Sequence, residues 1–138
     1  MRQMSDIVRN QKPVTMPATS TVRQACQRMR EQKVGCVLIT DTQKHLVGIF
    51  TGRDAVGRVI ADGRDPEHTR LSEVMTHQPR TMPPAQSAID ALRLMHDIGC
   101  RHVPIVDHGR VVGVVSKADF RGVEVDRLDE ETGFWERI

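Results

Sequence analysis

At 138 residues the chain has room for one ordinary domain or for two small modules sharing a core, and none for a large multidomain enzyme. Its 38% hydrophobic and 28% charged residues suit a packed core and argue against disorder, and no stretch approaches the ~20 apolar residues of a membrane span. Twenty Lys and Arg against eighteen Asp and Glu are spread along the chain, and aromatics are only 3% with no Tyr, so a surface that stacks splayed bases is disfavoured.

The first residues, Met1-Arg2-Gln3-Met4-Ser5-Asp6, lack the apolar run of a signal peptide, which makes a cytoplasmic location the expectation. From Pro13 a repeat becomes visible. The segment Pro13 to Asp41 lies over Pro79 to Asp107 at a constant offset of 66, with Thr15, Met16, Pro17, Ala25, Met29, Val37 and Ile39 recurring as Thr81, Met82, Pro83, Ala91, Met95, Val103 and Ile105. After the shared aspartate the second copy is one residue shorter, and Val47, Gly48 and Asp54 meet Val112, Gly113 and Asp119. A one-residue slip between two apolar runs is how a hairpin turn changes length.

Each copy reads as strand, helix, strand, turn, strand, helix. In the first, Thr21-Val22-Arg23-Gln24 predicts a capping box, and Val22, Ala25, Cys26 and Met29 follow at helical spacing. In the second, Ser87 takes the cap position ahead of Ile89, Ala91, Leu92, Met95 and Ile98. Cys36 to Ile39 and Val103 to Val106 suit buried strands, and Val47 to Phe50 and Val111 to Val115 follow across the turns. Pro104, lacking an amide hydrogen, belongs at a strand end, an edge or a bulge. The fold class predicted is α/β (α+β): two β-α-β-β-α repeats packed with pseudo-twofold symmetry and lining a shared cleft. The divisions expected are 5–60 for the first repeat, 61–70 for a polar linker, 71–120 for the second repeat and 121–138 for a C-terminal tail, helical in part. In that tail Val125, Leu128, Trp135 and Ile138 fit equally a helix folded back on its own chain and a contact with another subunit.

Two closing patterns are in register with the repeat: Gly48-Ile49-Phe50-Thr51-Gly52-Arg53-Asp54 and Gly113-Val114-Val115-Ser116-Lys117-Ala118-Asp119. A hydroxyl delivered at a helix start stands beside free backbone amides, which favour a phosphate, and an aspartate three residues on can accept from both hydroxyls of a ribose. Ser, Thr and Asp at such a junction are also ordinary N-caps, and for any one of these residues the cap is the simpler reading; the doubled, registered pattern tips the balance toward a ligand.

Over about Ser5 to Phe120 the chain resembles the paired cystathionine-β-synthase (CBS) domains, or Bateman module, and a stand-alone CBS-domain protein is the expectation. The resemblance implies an adenosine ligand, AMP, ADP, ATP or a related adenosyl compound, with adenine in an apolar slot and no other cofactor required. It further implies that each ligand touches both repeats, because the opening strand of one copy lies beside the closing pattern of the other. One pocket, around Asp119, would gather Val14, Thr15, Val34, Gly35, Arg101, Val114 and Ser116, with His102 beside Arg101; the other, around Asp54, would gather Ile49, Thr51, Arg80 and Cys100. Arg101 offers a cation where the first repeat has only Gly35, so the Asp119 pocket is expected to hold a phosphate more tightly.

Cys26, Cys36 and Cys100 are odd in number and form no C-x-x-C pair, which argues for a reducing compartment and against a zinc knuckle. Only Cys100 and His102 share a strand face, too few ligands for a metal site. No G-x-S-x-G, H-E-x-x-H or Walker pattern is present, so no enzyme activity is expected. The leading expectation is a regulatory module that signals nucleotide occupancy to an unknown partner and forms a homodimer. The alternatives are a structural, dimerising protein with vestigial pockets and, because the pI is about 8.6, a weak RNA binder. A contact with a membrane is not expected.

Overall fold

The computed structural model describes residues 2–120, so the expectation for the tail lies outside the described residues. The elements are mixed α and β and follow the repeat. They fall into two compact units, and each unit combines the main part of one copy with the opening segment of the other. No helix among the described residues is long and apolar enough to cross a membrane.

One unit is built on a four-stranded sheet in the order β1-β2-β3-β4. β1 (Thr15–Met16) runs parallel to β2 (Cys36–Thr40), and β2 and β3 (Leu46–Thr51) form an antiparallel pair with Cys36 opposite Thr51. α2 (Val22–Gln32) turns Val22, Ala25 and Met29 inward against Val37, Ile39 and Phe50. Its start is the predicted capping box: the Thr21 hydroxyl accepts from the Gln24 amide at 3.1 Å, and Gln24 Oε1 accepts from the Thr21 amide at 2.9 Å. β3 runs into α3 (Gly52–Asp54) and then into a π-helical turn, Ala55–Ile60. The remaining pieces come from the second copy's opening: α4 (Leu71–Val74) and β4 (Thr76–His77), which pairs antiparallel with Gly48 and Ile49. Leu71, Val74 and Met75 join the core of this unit.

The other unit mirrors it. α5 (Ala88–Ile98) starts at Ser87, whose hydroxyl accepts from the Asp90 amide at 3.2 Å, as the sequence predicts. β5 (His102–Asp107) pairs with β6 (Arg110–Ser116). α1 (Met4–Val8), the opening helix of the first copy, buries Met4 and Val8 with Met82, Ala88, Ala91, Met95, Val103, Ile105 and Val115. The exchange reaches the helix ends, whose first amides need partners from elsewhere. Val22 N–H donates to Thr69 O just before α4, and Ala88 N–H donates to Arg2 O just before α1.

Both closing glycines mark where the exchanged segments press in. A Cβ on Gly48 would come within 2.4 Å of the Met75 sulfur, and one on Gly113 within 2.5 Å of the Val8 Cβ. The expected pairing of opening strand with the other copy's closing pattern is thereby refined. Thr15 and Met16 pair with Leu38 and Ile39 of their own copy, and the segments that cross over are β4 and, in the mirrored place, Gln11. The Gln11 side-chain amide clamps both backbone groups of Val114 at 2.9 Å, doing with one side chain what β4 does with a backbone.

Pro104 explains a second asymmetry. In the first copy the Leu38 amide donates to Val14 O at 2.9 Å, which lets β1 extend over two residues. Pro104 holds the matching position and has no such donor. Its carbonyl still accepts from Met82 at 3.1 Å, so the second copy keeps a single bridge, Met82 to Ile105.

Candidate functional site

Each closing pattern ends in the same box of hydrogen bonds. Asp54 Oδ2 accepts from the Thr51 amide at 3.0 Å and from the Thr51 hydroxyl at 3.2 Å, while the Asp54 amide donates to Thr51 Oγ1 at 3.3 Å. Asp119 Oδ2 accepts from the Ser116 amide at 2.7 Å and from the Ser116 hydroxyl at 3.3 Å. The cap reading and the ligand reading are compatible, because each cap uses one carboxylate oxygen. Oδ1 of either aspartate stands outside it.

The residue ahead of each buried strand is tied to this box through the backbone. Gly52 N–H donates to Gly35 O at 3.2 Å, and Lys117 N–H donates to Arg101 O at 3.1 Å. Gly35 and Arg101 are thus brought beside Thr51 and Ser116 in the same way, one without a charge and one with a guanidinium. Val14, Thr15, Val34 and Ile49 accompany Thr51 and Asp54 in their unit, Val34 and Gly35 being exposed; Arg80, Cys100, His102 and Val114 accompany Ser116 and Asp119 in theirs.

The electrostatics of the second box involve His102. Burial pushes its imidazole below the ordinary value, the Arg101 cation pushes the same way, and Asp119 opposes them. A neutral ring at the foot of β5 is the consequence at physiological pH. The thiols are core groups: burial pushes Cys36 up to about 12 and also raises Cys26 and Cys100, so none has the thiolate character of a nucleophile. Among the described residues no cluster of three or more His, Cys, Asp or Glu side chains is placed to hold a metal ion.

Sequence reasoning overlooked Arg58. It stands four residues after Asp54, and its Nε lies 3.6 Å from Asp54 Oδ1. The i,i+4 spacing of opposite charges is a signal that a closer reading of the helix face would have found.

Comparison with known proteins gives the same picture of the whole chain. The sequence model of the CBS domain matches twice, over residues 4–61 and 71–126, and the chain belongs to the CBS domain family. It is 41% identical over 108 residues to the CBS domain-containing protein CBSCBSPB2 of Arabidopsis thaliana, covering 78% of this chain and 20% of that protein. The chain therefore spans about a fifth of the length of that relative. Among solved structures it is similar to the CBS domain protein PAE2072 of Pyrobaculum aerophilum complexed with AMP, with TM-score 0.83 and 25% identity over 93% of this chain and 98% of that one. It is also similar to the hexameric CBS-CP12 protein of bloom-forming cyanobacteria, with TM-score 0.82 and 27% identity over 91% of this chain and 74% of that one.

Proposed function

We propose that the chain is a non-catalytic regulatory module that binds an adenosine nucleotide at its closing patterns and passes its occupancy to a partner protein. The observation that carries this reading is the duplicated box, in which a hydroxyl and an aspartate at a strand-to-helix junction hold each other through Oδ2 while Oδ1 stays outside the cap. A carboxylate so fixed is preorganised to accept ribose hydroxyls, and preorganisation lowers the entropy cost of binding. The similarity to an AMP-bound protein of the same family supports the choice of adenosine ligand. Signalling requires only that two states of the module bind the nucleotide with different affinity.

Self-association is part of the same proposal. A groove of about 550 Å³ beside α2 has an apolar floor that includes Val22, Cys26, Ala55 and Val59. On the neighbouring π-helical turn Val56 and Ile60 are 63% and 70% exposed, unusual for large apolar side chains. The rim carries both signs, Arg23 and Arg30 with Asp65 and Glu67, which suits an isologous contact with a second copy.

Native mass spectrometry of the intact protein, isolated from the cells that produce it without added nucleotide, tests ligand and assembly together. The expected spectrum is a dimer carrying an adenosine-nucleotide mass. A ligand-free monomer that acquires no mass from added millimolar AMP contradicts the proposal and favours a structural role for vestigial pockets.

A further inference from the structure

The Asp54 site is attached to the segment that the second copy contributes to its unit. Arg58 lies in the π-helical turn, where Ala61 N–H donates to Val56 O and Arg64 N–H to Val59 O, five residues back in each case. Such turns are frequent at functional sites. The guanidinium Nε faces Asp54 Oδ1 at 3.6 Å, and Nη1 donates to the carbonyls of both Val74 and Met75 at 3.1 Å. Those two residues close α4, which the second copy contributes to this unit, and the Met75 amide itself donates to Leu71 O at 2.8 Å. A half-exposed i,i+4 ion pair couples its partners weakly. Two charge-assisted bonds from one rigid, planar group couple them more firmly, because a shift of α4 must move the same plane that faces the aspartate. Four residues after Asp119 the sequence has Val123, with no side-chain donor, and Asp119 is met by Arg2, whose Nη2 donates to Asp119 O at 3.0 Å.

We propose that Arg58 is a positioning residue that ties the Asp54 carboxylate to the end of α4, so that a nucleotide on Asp54 and the attachment of α4 influence one another. The proposal rests on the reading of Asp54 as a ribose acceptor, and it names the first element through which occupancy leaves that site. A ribose hydroxyl on Oδ1 shares that oxygen with Arg58 Nε. Any change it makes in the guanidinium is felt at the Val74 and Met75 carbonyls. By linkage the effect is reciprocal: whatever α4 does to nucleotide affinity, the nucleotide does to α4 by the same factor.

Hydrogen exchange of the full-length protein by NMR tests the tie. The reporters are the amide of Ser72, which donates to Ala18 O and opens when α4 detaches, and the amide of Met75, which donates to Leu71 O and opens when the end of α4 unwinds. Without ligand, Arg58→Ala and Asp54→Asn should each speed exchange at these amides by about threefold or more, the double variant should be no faster than Arg58→Ala, and Arg58→Lys should recover part of the protection. With AMP added in an Asp119→Ala background, exchange at Ser72 and Met75 should slow, and Arg58→Ala should abolish that slowing while weakening AMP by a matching factor. If Asp54→Asn leaves the two amides untouched, or its effect adds in full to that of Arg58→Ala, the tie does not exist. If AMP still protects α4 in Arg58→Ala as in the parent, Arg58 is structural only and the proposal is overturned. Failure of the nucleotide reading is told apart by the ligand-free series, which reports the tie whether or not AMP binds. Should Arg58→Ala fail to fold, Arg58→Lys and Asp54→Asn carry the same comparison.

Discussion

Asp54 and Asp119 each divide two oxygens between two tasks, one inside a cap and one outside it. Their surroundings differ in charge. The Arg101 backbone is fixed to Lys117 at the second box, whereas Gly35 holds the matching place at the first. On the proposed reading, a phosphate near Ser116 can gain from Arg101 a charge-assisted contact of about 1.5–3 kcal/mol that Gly35 cannot give beside Thr51, where the charged neighbour is Arg58, held by Asp54 and the α4 carbonyls. Arg101→Ala should weaken AMP roughly tenfold and leave adenosine, which has no phosphate, within about twofold. Isothermal titration with both ligands checks this, and an equal loss for both would place Arg101 on the nucleoside instead. These boxes were legible in the sequence because their partners are three residues apart on one turn. Arg58 was legible only in half: its spacing from Asp54 is local, but its bonds to Val74 and Met75 cross sixteen and seventeen residues, and no sequence pattern reports them.

Among the elements, α2 and α5 were readable to the residue at their N-termini, because a cap is a local hydrogen-bond requirement with its own residue types. Their ends were less even. Gly99 takes the left-handed conformation (φ 69°) that announces a helix stop, whereas Lys33 adopts the same region (φ 55°) without the glycine that would signal it. The opening helices α1 and α4 were not readable: five and four residues are too few for a periodic stripe, and their apolar contacts lie with the other copy. The closing glycines record that exchange. Gly113→Ala sets a Cβ against the Val8 Cβ, which is fixed to backbone, whereas Gly48→Ala meets the flexible tip of Met75. Overpacking of this kind costs about 1–3 kcal/mol. Urea denaturation should place Gly113→Ala at the upper end and Gly48→Ala at the lower, and the reverse order would mean that α1 yields more easily than Met75.

For the whole molecule the repeat is the informative feature, since one copy of about 55 residues buries too little surface to be comfortable alone. The exchange makes the dependence concrete. The core around α5 includes Met4 and Val8 from the first copy's opening, and the core around α2 includes Leu71, Val74 and Met75 from the second's. Two units that each contain a piece of the other copy are well suited to carry a change at one closing pattern into a segment belonging to the second repeat, and a regulatory module needs that property. The central claim is that both closing patterns accept an adenosine nucleotide, and it is tested most directly by titrating AMP calorimetrically into the parent protein, Asp54→Ala, Asp119→Ala and the double variant. The account predicts saturable heat for the parent, about a tenfold loss of affinity at the altered site in each single variant, and binding weakened about tenfold or more at both sites in the double variant. Binding in the double variant equal to that of the parent, or no heat from the parent at millimolar AMP, would contradict it.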